Sequence, residues 1–273
     1  MQVWSVAQDC IINRPSCDPM PTAIFRYLTS SPGFVIAADG RITGGDDKAQ
    51  KIFEIKGTPV AYALFGNIGI GDWREDTPVA LDLGLEAKNF IESGSNKILS
   101  DFVGYAQDLA DELYSLLLKL KDQGVIPRYD GLSEYNDGNS TIAHILLFGY
   151  SNGLPAEVDI LFSHRDQALR KPRLYAYGFR HSNPHAWGAE GLFKRMFEFN
   201  DPALAKFRRL GIPSPPEEIS LEGAATIGED YIRACDSDEG RELDPWCSHI
   251  GGHIHIAAIE PSGFYWLKPP ILS

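Results

Sequence analysis

The 273-residue sequence predicts an α+β fold, with antiparallel sheets and helical layers outside them. Strand-like segments are collected in blocks, with helix-like segments in blocks between them, whereas a doubly wound parallel sheet would alternate the two. The hydrophobic fraction is 44% and the charged fraction is 23%, which is typical of a globular protein with a substantial core. We expect a single domain over residues 22–273, preceded by an N-terminal extension of residues 1–21.

The first block of the sequence predicts strands and the second predicts helices. Runs rich in Val, Ile, Phe and Tyr, bounded by Gly, Pro or Asp, predict strands over 22–29, 33–38, 51–55 and 59–65. A helix over 78–93 is expected to begin after Thr77, because Thr is a favourable N-cap and Pro78 suits the first helical position. Apolar residues at helical spacing predict a long amphipathic helix over 98–122.

The remaining sequence repeats this order of strands, helices and strands. Strands are predicted over 141–150, 157–164 and 174–179, followed by helical pieces within 184–234 that prolines interrupt. The last predicted unit is a hairpin of strands 253–259 and 264–267 around a Pro-Ser-Gly turn.

Charge and composition exclude several kinds of partner. The net charge of −12 argues against nucleic acid and anionic membrane surfaces, because both need a basic face. Apolar runs fall short of the ~20 residues of a membrane helix, and the N-terminus does not resemble a secretory signal. The four cysteines show no CxxC spacing, so we expect a protein of the reducing cytoplasm.

Four chemically suggestive residues lie at the ends of the first predicted strands. Thr22 opens a strand, Asp39 ends its partner, Lys51 begins the next strand, and Gly66 ends the one after. Adjacent antiparallel strands can bring such ends together. A threonine hydroxyl needs a neighbouring base to act as a nucleophile, a lysine can favour its ionised form, and a glycine amide can bind an oxyanion.

These residues also carry a resemblance to a known family. The string GFVIAADGR, followed by KIFEI and LFG, resembles the N-terminal third of proteasome β subunits and their bacterial relatives. Those proteins belong to the N-terminal nucleophile (Ntn) hydrolases. The resemblance is firmest over residues 22–70, and it implies a four-layer αββα sandwich. It further implies a threonine-type peptide or amide hydrolase without metal or organic cofactor, acting on a peptide or small amide, and a possible homo-oligomer.

The resemblance assigns a role to each of the matching positions. Thr22 would be the nucleophile once removal of residues 1–21, as a propeptide, frees its α-amine. Lys51 would tune the hydroxyl and the amine, and Asp39 would hold Lys51. Arg41 would support the turn, and Gly66 would offer its N–H group to the oxyanion.

The resemblance is less complete near the end of the chain and just before Thr22. Ile250 takes the place of the family's late serine, and Cys247 stands where the family has an aspartate. Asp244 and Ser248 lie nearby and are candidates to compensate. Pro21 stands where the family usually has the glycine after which it cleaves itself.

Three other interpretations of these patterns remain open. Asp39 and Lys51 also fit a purely structural ion pair at a sheet end. The whole chain also fits a non-catalytic homologue that acts as an assembly or binding subunit. A weaker alternative is a zinc hydrolase, because His253 and His255 are spaced to share one face of a strand and imidazoles bind zinc.

Overall fold

The computed structural model describes residues 22–29, 33–41, 47–66, 69–70, 81–123, 139–165, 168–177, 184–213 and 218–271. Within these ranges the protein is a mixed α and β structure with two large antiparallel sheets, which confirms the predicted class. Thr77, Pro78 and the extension 1–21 lie outside the described residues. Among the helices described, none is long and apolar enough to cross a bilayer.

The strands alternate with helices in blocks, as the sequence predicts. The strands are β1 Ile24–Thr29, β2 Gly33–Ala38, β3 Ile52–Glu54, β4 Val60–Gly66, β5 Gly69–Ile70, β6 Leu81–Asp82, β7 Asn139–Ser151, β8 Leu154–Arg165, β9 Ala168–Leu169, β10 Arg173–Tyr177, β11 His185–Trp187, β12 His255–Glu260 and β13 Gly263–Lys268. The α-helices are α1 Leu83–Gly94, α2 Phe102–Asp122, α3 Glu190–Phe193, α4 Leu221–Cys235 and α5 Asp238–Leu243.

Each large sheet has its own strand order. The first sheet runs β11-β1-β2-β12-β13, and the second runs β10-β8-β7-β4-β3 with β9 paired to β8. Neighbouring strands in both sheets are antiparallel. The short strands β5 and β6 form a separate pair.

Three apolar cores explain how the sheets and helices are held. Side chains of β1, β2 and β12 meet side chains of β3, β4 and β7 in a core shared by the two sheets. The opposite face of the first sheet packs against α4 and the segments around α3. The opposite face of the second sheet packs against α1 and α2. Successive side chains along a strand point to opposite faces of the sheet, so alternate buried residues lie in the shared core and in a helical core.

The long helix shows how local sequence determines an element. Asp101 accepts a hydrogen bond from the Gly104 backbone N–H at 2.9 Å, which satisfies a donor that the first helical turn leaves free. The buried face of α2 carries residues at the spacing that the sequence indicates, including Leu109, Leu113 and Leu117.

Two predicted helical regions and the last hairpin begin later in the structure than the sequence predicts. Residues 81–82 pair with β5, so α1 begins at Leu83 rather than near residue 78. The region expected to be helical from 184 opens with strand β11, because its backbone pairs with β1. The last hairpin begins at His255, so His253 precedes the strand.

Candidate functional site

The strand ends that the sequence analysis singles out meet at one end of the two sheets. In the first sheet, Ala38 at the end of β2 lies opposite both Ile24 and His255, the first residues of β1 and β12. In the second sheet, the Leu64 N–H donates to the Lys51 carbonyl at 3.3 Å, just before β4 ends at Gly66. We call this region the strand-end site.

An ion pair between Lys51 and Asp39 forms the centre of the strand-end site. Lys51 Nζ lies 2.9 Å from Asp39 Oδ1, and their side chains are 9% and 0% exposed. Asp39 also accepts hydrogen bonds from the backbone N–H groups of Ala23 at 2.9 Å and Gly251 at 3.1 Å. The Arg41 N–H adds another at 3.2 Å. The Asp39 carboxylate thus links β1, the end of β2 and the segment before β12.

Burial shifts the titration of both members of this pair. Burial lowers the pKa of Lys51 below its ordinary value, while the Asp39 charge and hydrogen bond oppose that shift. Burial raises the pKa of Asp39, opposed mainly by the Lys51 charge and hydrogen bond. A lysine with a lowered pKa gives up its proton more readily than a surface lysine.

Arg41 holds the turn that follows Asp39. Its Nη1 donates to the Ile250 carbonyl at 3.0 Å and to Asp236 at 3.2 Å. Its Nε donates to Asp47 at 2.9 Å. These bonds connect the turn to the end of α4 and to the segment that precedes Gly251.

Thr22 lies two residues before β1 and next to Ala23, whose amide is bonded to Asp39. The residue is 3% exposed, and the following Ala23 is bonded to Asp39 through both its N–H and its carbonyl. Gly188, with φ at 98°, packs against the Thr22 carbonyl so closely that a Cβ there would overlap the oxygen. The Thr22 backbone is therefore fixed between β2 and the end of β11.

Gly66 occupies a position that only glycine accommodates easily. Its φ is 93°, and a Cβ there would lie 2.8 Å from the Ile142 carbonyl oxygen on β7. The backbones of β4 and β7 therefore approach each other closely at Gly66.

The late candidates make local contacts. Asp244 accepts a hydrogen bond from the Trp246 N–H at 3.0 Å, and the Ser248 hydroxyl donates to the Pro245 carbonyl at 2.8 Å. Cys247 is a buried free thiol in the core beside α4, together with Cys235. The residue from this segment that reaches the ion pair is Gly251, through its backbone N–H.

His255 belongs to the strand-end site for a reason that the sequence did not reveal. Its Nε2 accepts a hydrogen bond from the Lys51 backbone N–H at 3.1 Å, which joins the two sheets. Burial, followed by the Lys51 charge, lowers the pKa of His255 to about 3, so the ring is neutral at pH 7. The neutral ring that accepts at Nε2 carries its proton on Nδ1.

The histidine pair gives no support to a zinc site. His255 Nε2 is occupied by the Lys51 N–H, and His253 Nε2 lies 2.9 Å from the Pro269 carbonyl. Across the described ranges, no group of three or more His, Cys, Asp or Glu side chains is arranged to hold a metal ion.

A second polar cluster lies between the sheets and was not predicted. Arg26 on β1 forms a buried ion pair with Glu157 on β8, with Nε and Oε2 2.7 Å apart. Asp159 lies 2.7 Å from His144 Nδ1 and accepts a longer bond of 3.4 Å from Trp187 Nε1. The available signal was two acidic residues, spaced by two, on a strand otherwise expected to be buried.

Comparison with known proteins does not assign a family. No family model matches the sequence, and no curated protein matches it.

Proposed function

We propose that this protein is an Ntn hydrolase of the proteasome β type, which cleaves an amide bond with Thr22 as nucleophile. The proposal includes the four-layer αββα sandwich implied by the resemblance of the N-terminal strands. The shared core between two antiparallel sheets, with a helical core outside each, supports that layer order.

The observation that carries the proposal is the buried pair of Lys51 and Asp39 beside Thr22. The sequence resemblance requires these three residues to converge, although they are separated by up to 29 positions in the chain (51 − 22). Asp39 contacts Lys51 directly and is bonded to the backbone that follows Thr22. A purely structural ion pair needs no such link to the residue that follows Thr22.

In the proposed reaction, the Thr22 α-amine, once free, accepts the hydroxyl proton as Oγ attacks the carbonyl carbon of the substrate. The Lys51 ammonium stabilises the negative charge that develops on Oγ, and Asp39 keeps the ammonium in position. The Gly66 N–H would donate to the carbonyl oxygen as it becomes an oxyanion. The amine then protonates the leaving nitrogen, and water hydrolyses the resulting ester to release the acid and restore Thr22.

Substitution of Thr22 tests this mechanism. Thr22→Ala should abolish hydrolysis of fluorogenic peptides, whereas Thr22→Ser should retain part of it because serine keeps the hydroxyl. Thr226→Ala is a matched control, since its hydroxyl bonds to the Glu222 carbonyl within α4. Unchanged turnover by the Thr22→Ala protein would remove Thr22 from the mechanism.

A second candidate function is a non-catalytic relative that serves as an assembly or binding subunit. Two residues favour it: Pro21 replaces the usual cleavage glycine, and Ile250 replaces the late serine of the family. Ile250 is fully buried, so it contributes packing at a position where the family has a hydroxyl. In this case peptides would not be hydrolysed, and Thr22→Ala would leave the assembly of the protein unchanged.

A further inference from the structure

The second polar cluster is charged, whereas the rest of the layer between the sheets is mostly apolar. Most inward-facing residues of that layer are apolar, including Ile36, Leu146 and Phe148. At the side formed by β8, β10 and β11, the same layer contains the charged residues Glu157 and Asp159. Buried charges are costly, so such a change of character needs an explanation.

The carboxylates of this cluster exceed the fixed cations that face them. Glu157 and Asp159 are 1% and 4% exposed, and Arg26 forms an ion pair with Glu157. Glu190 and Lys194 add one charge of each sign to the electrostatic surroundings of the cluster. Among the described residues, three carboxylates (Glu157, Asp159 and Glu190) therefore face two cations (Arg26 and Lys194).

One buried oxygen of the cluster also lacks a partner. Glu157 Oε2 faces Arg26, but Oε1 is buried and has no hydrogen-bond partner in the part of the chain that the structure describes. An unsatisfied buried carboxylate oxygen costs free energy, which a donor group of a ligand would recover.

Aromatic rings surround these carboxylates and reach the surface. Tyr175 and Tyr177 on β10 lie opposite Asp159 and Glu157 and are each 40% exposed. Burial, followed by the charges of Asp159 and Glu157, raises the pKa of Tyr177 to about 12. The His185 ring lies 4.4 Å from Trp187 and 6.3 Å from Tyr177, between centroids. Aromatic faces attract cations, and more strongly where water is excluded.

This cluster is continuous with the strand-end site. Trp187 lies opposite Ile24, two residues after Thr22, and Gly188 packs against the Thr22 carbonyl. His144 follows Ala143, which lies opposite Gly66. A substrate held between the two regions would place one group at the cluster and its scissile bond near Thr22.

We infer that the cluster of Glu157, Asp159, Tyr175, Tyr177 and Trp187 is a subsite for an organic cation, such as the guanidinium or ammonium group of a basic substrate side chain. The aromatic rings would contact the apolar and flat parts of the group, and the carboxylates would accept its N–H donors. As a specificity subsite, it rests on the proposed hydrolase function; as a binding site, it does not.

Binding of benzamidine to the full-length protein tests the inference without any need for activity. Isothermal titration calorimetry at pH 7 should show one site for benzamidine and none for benzamide, the neutral compound of similar shape. Asp159→Asn should weaken binding at least tenfold, and Tyr175→Ala should weaken it several-fold. Asp238→Asn should have no effect, because that exposed carboxylate lies on α5.

Several results would overturn the subsite. These are an absence of benzamidine binding, equal binding of benzamide, or unchanged affinity in both the Asp159→Asn and Tyr175→Ala proteins. Thermal unfolding of each variant checks that the fold is retained; if Asp159→Asn is unfolded, the exposed Tyr175→Ala variant decides. Benzamidine binding without peptide hydrolysis would contradict the hydrolase function and retain the cation site. Peptide hydrolysis without benzamidine binding, and without preference for Lys or Arg peptides over Leu peptides, would contradict the cation site and retain the hydrolase function.

Discussion

The buried carboxylate of Asp39 is satisfied by donors from several parts of the chain. Asp39 has no exposed surface, and its two oxygens receive donors from Ala23 just before β1, from the turn at Arg41 and from the segment before β12. Among the described residues, Lys51 is the only one whose side-chain cation is bonded to Asp39. Removal of one member of the pair should therefore lower the stability of the protein, because the other member stays buried without its partner.

Lys51→Met should destabilise the protein by about 3–5 kcal/mol, because it leaves the Asp39 charge buried without its counterion. Urea unfolding measures the change. Lys206→Met is the control, since Lys206 pairs with Glu239 at the surface and its loss should change stability far less. Adding Asp39→Asn to Lys51→Met should recover part of the loss; a loss that stays the same or grows would contradict a coupled pair.

His255 should make the protein less stable at acid pH. Its pKa is lowered from 6.5 to about 3 in the folded protein, so below pH 6.5 the unfolded chain binds a proton that the folded chain refuses. Stability is then fully present above pH 6.5 and falls as pH drops toward 3, by up to about 4 kcal/mol.

Unfolding of the His255→Gln protein across this pH range measures that contribution. Glutamine keeps an acceptor near the Nε2 position but does not titrate, so the stability of the variant should depend less on pH between 6.5 and 3. His249→Gln, outside the Lys51 contact, serves as the control. Identical pH profiles for wild type and His255→Gln would show that His255 is not the titrating group.

At the scale of elements, the close contact between β11 and the start of β1 fixes the position of Thr22. Gly188→Ala should destabilise the protein by more than about 2 kcal/mol, because it combines a positive φ with overlap of the Thr22 carbonyl. Gly57→Ala is the matched control, since Gly57 also has a positive φ, at 74°, but an added Cβ would meet no atom within 4 Å. Equal losses of thermal stability in the two variants would contradict a tight contact at Thr22.

Glu229 joins α4 to β13 and to the loop before α4. It accepts hydrogen bonds from Lys268 at 2.8 Å, Arg209 at 2.7 Å and Arg233 at 3.2 Å. Burial raises the pKa of Glu229, but these bonds outweigh it and lower the value from 4.5 to about 2. The carboxylate therefore stabilises the fold above pH 4.5, and this contribution is lost as pH falls toward 2.

Glu229→Gln should cost about 1–2 kcal/mol at pH 7 after allowance for solvent screening, and nearly nothing at pH 2. Chemical unfolding at both pH values is the measurement, and Glu242→Gln, an exposed carboxylate on α5, is the control. A cost that is the same at both pH values would show that the charge of Glu229 contributes nothing.

At the scale of the whole molecule, the sequence predicted most of the elements, and it singled out Asp39 and Lys51 at the centre of the strand-end site. β1, β2, β4 and α2 were found from apolar composition and periodicity, because each of them buries a face in one of the cores. The three-residue strand β11 was missed, since its conformation depends on pairing with β1 rather than on its own sequence.

The parts of the site that join the two sheets were also outside the reach of sequence patterns. Strand ends and family resemblance predicted that Thr22, Asp39 and Lys51 converge, and the structure has Asp39 in contact with Lys51. The bond from the Lys51 N–H to His255, and the pairing of Arg26 with Glu157, each link residues that only the stacking of the sheets brings together. No local periodicity encodes that stacking.

The measurement that tests the central proposal most directly is the intact mass of the protein purified from the cells that express it. The proposal predicts a chain that begins at Thr22, because only a free α-amine can serve as the base for its hydroxyl. Thr22→Ala should prevent this cleavage if the protein processes itself. A mass that still includes Pro21 and the residues before it, and that persists during prolonged incubation, would contradict the N-terminal nucleophile mechanism.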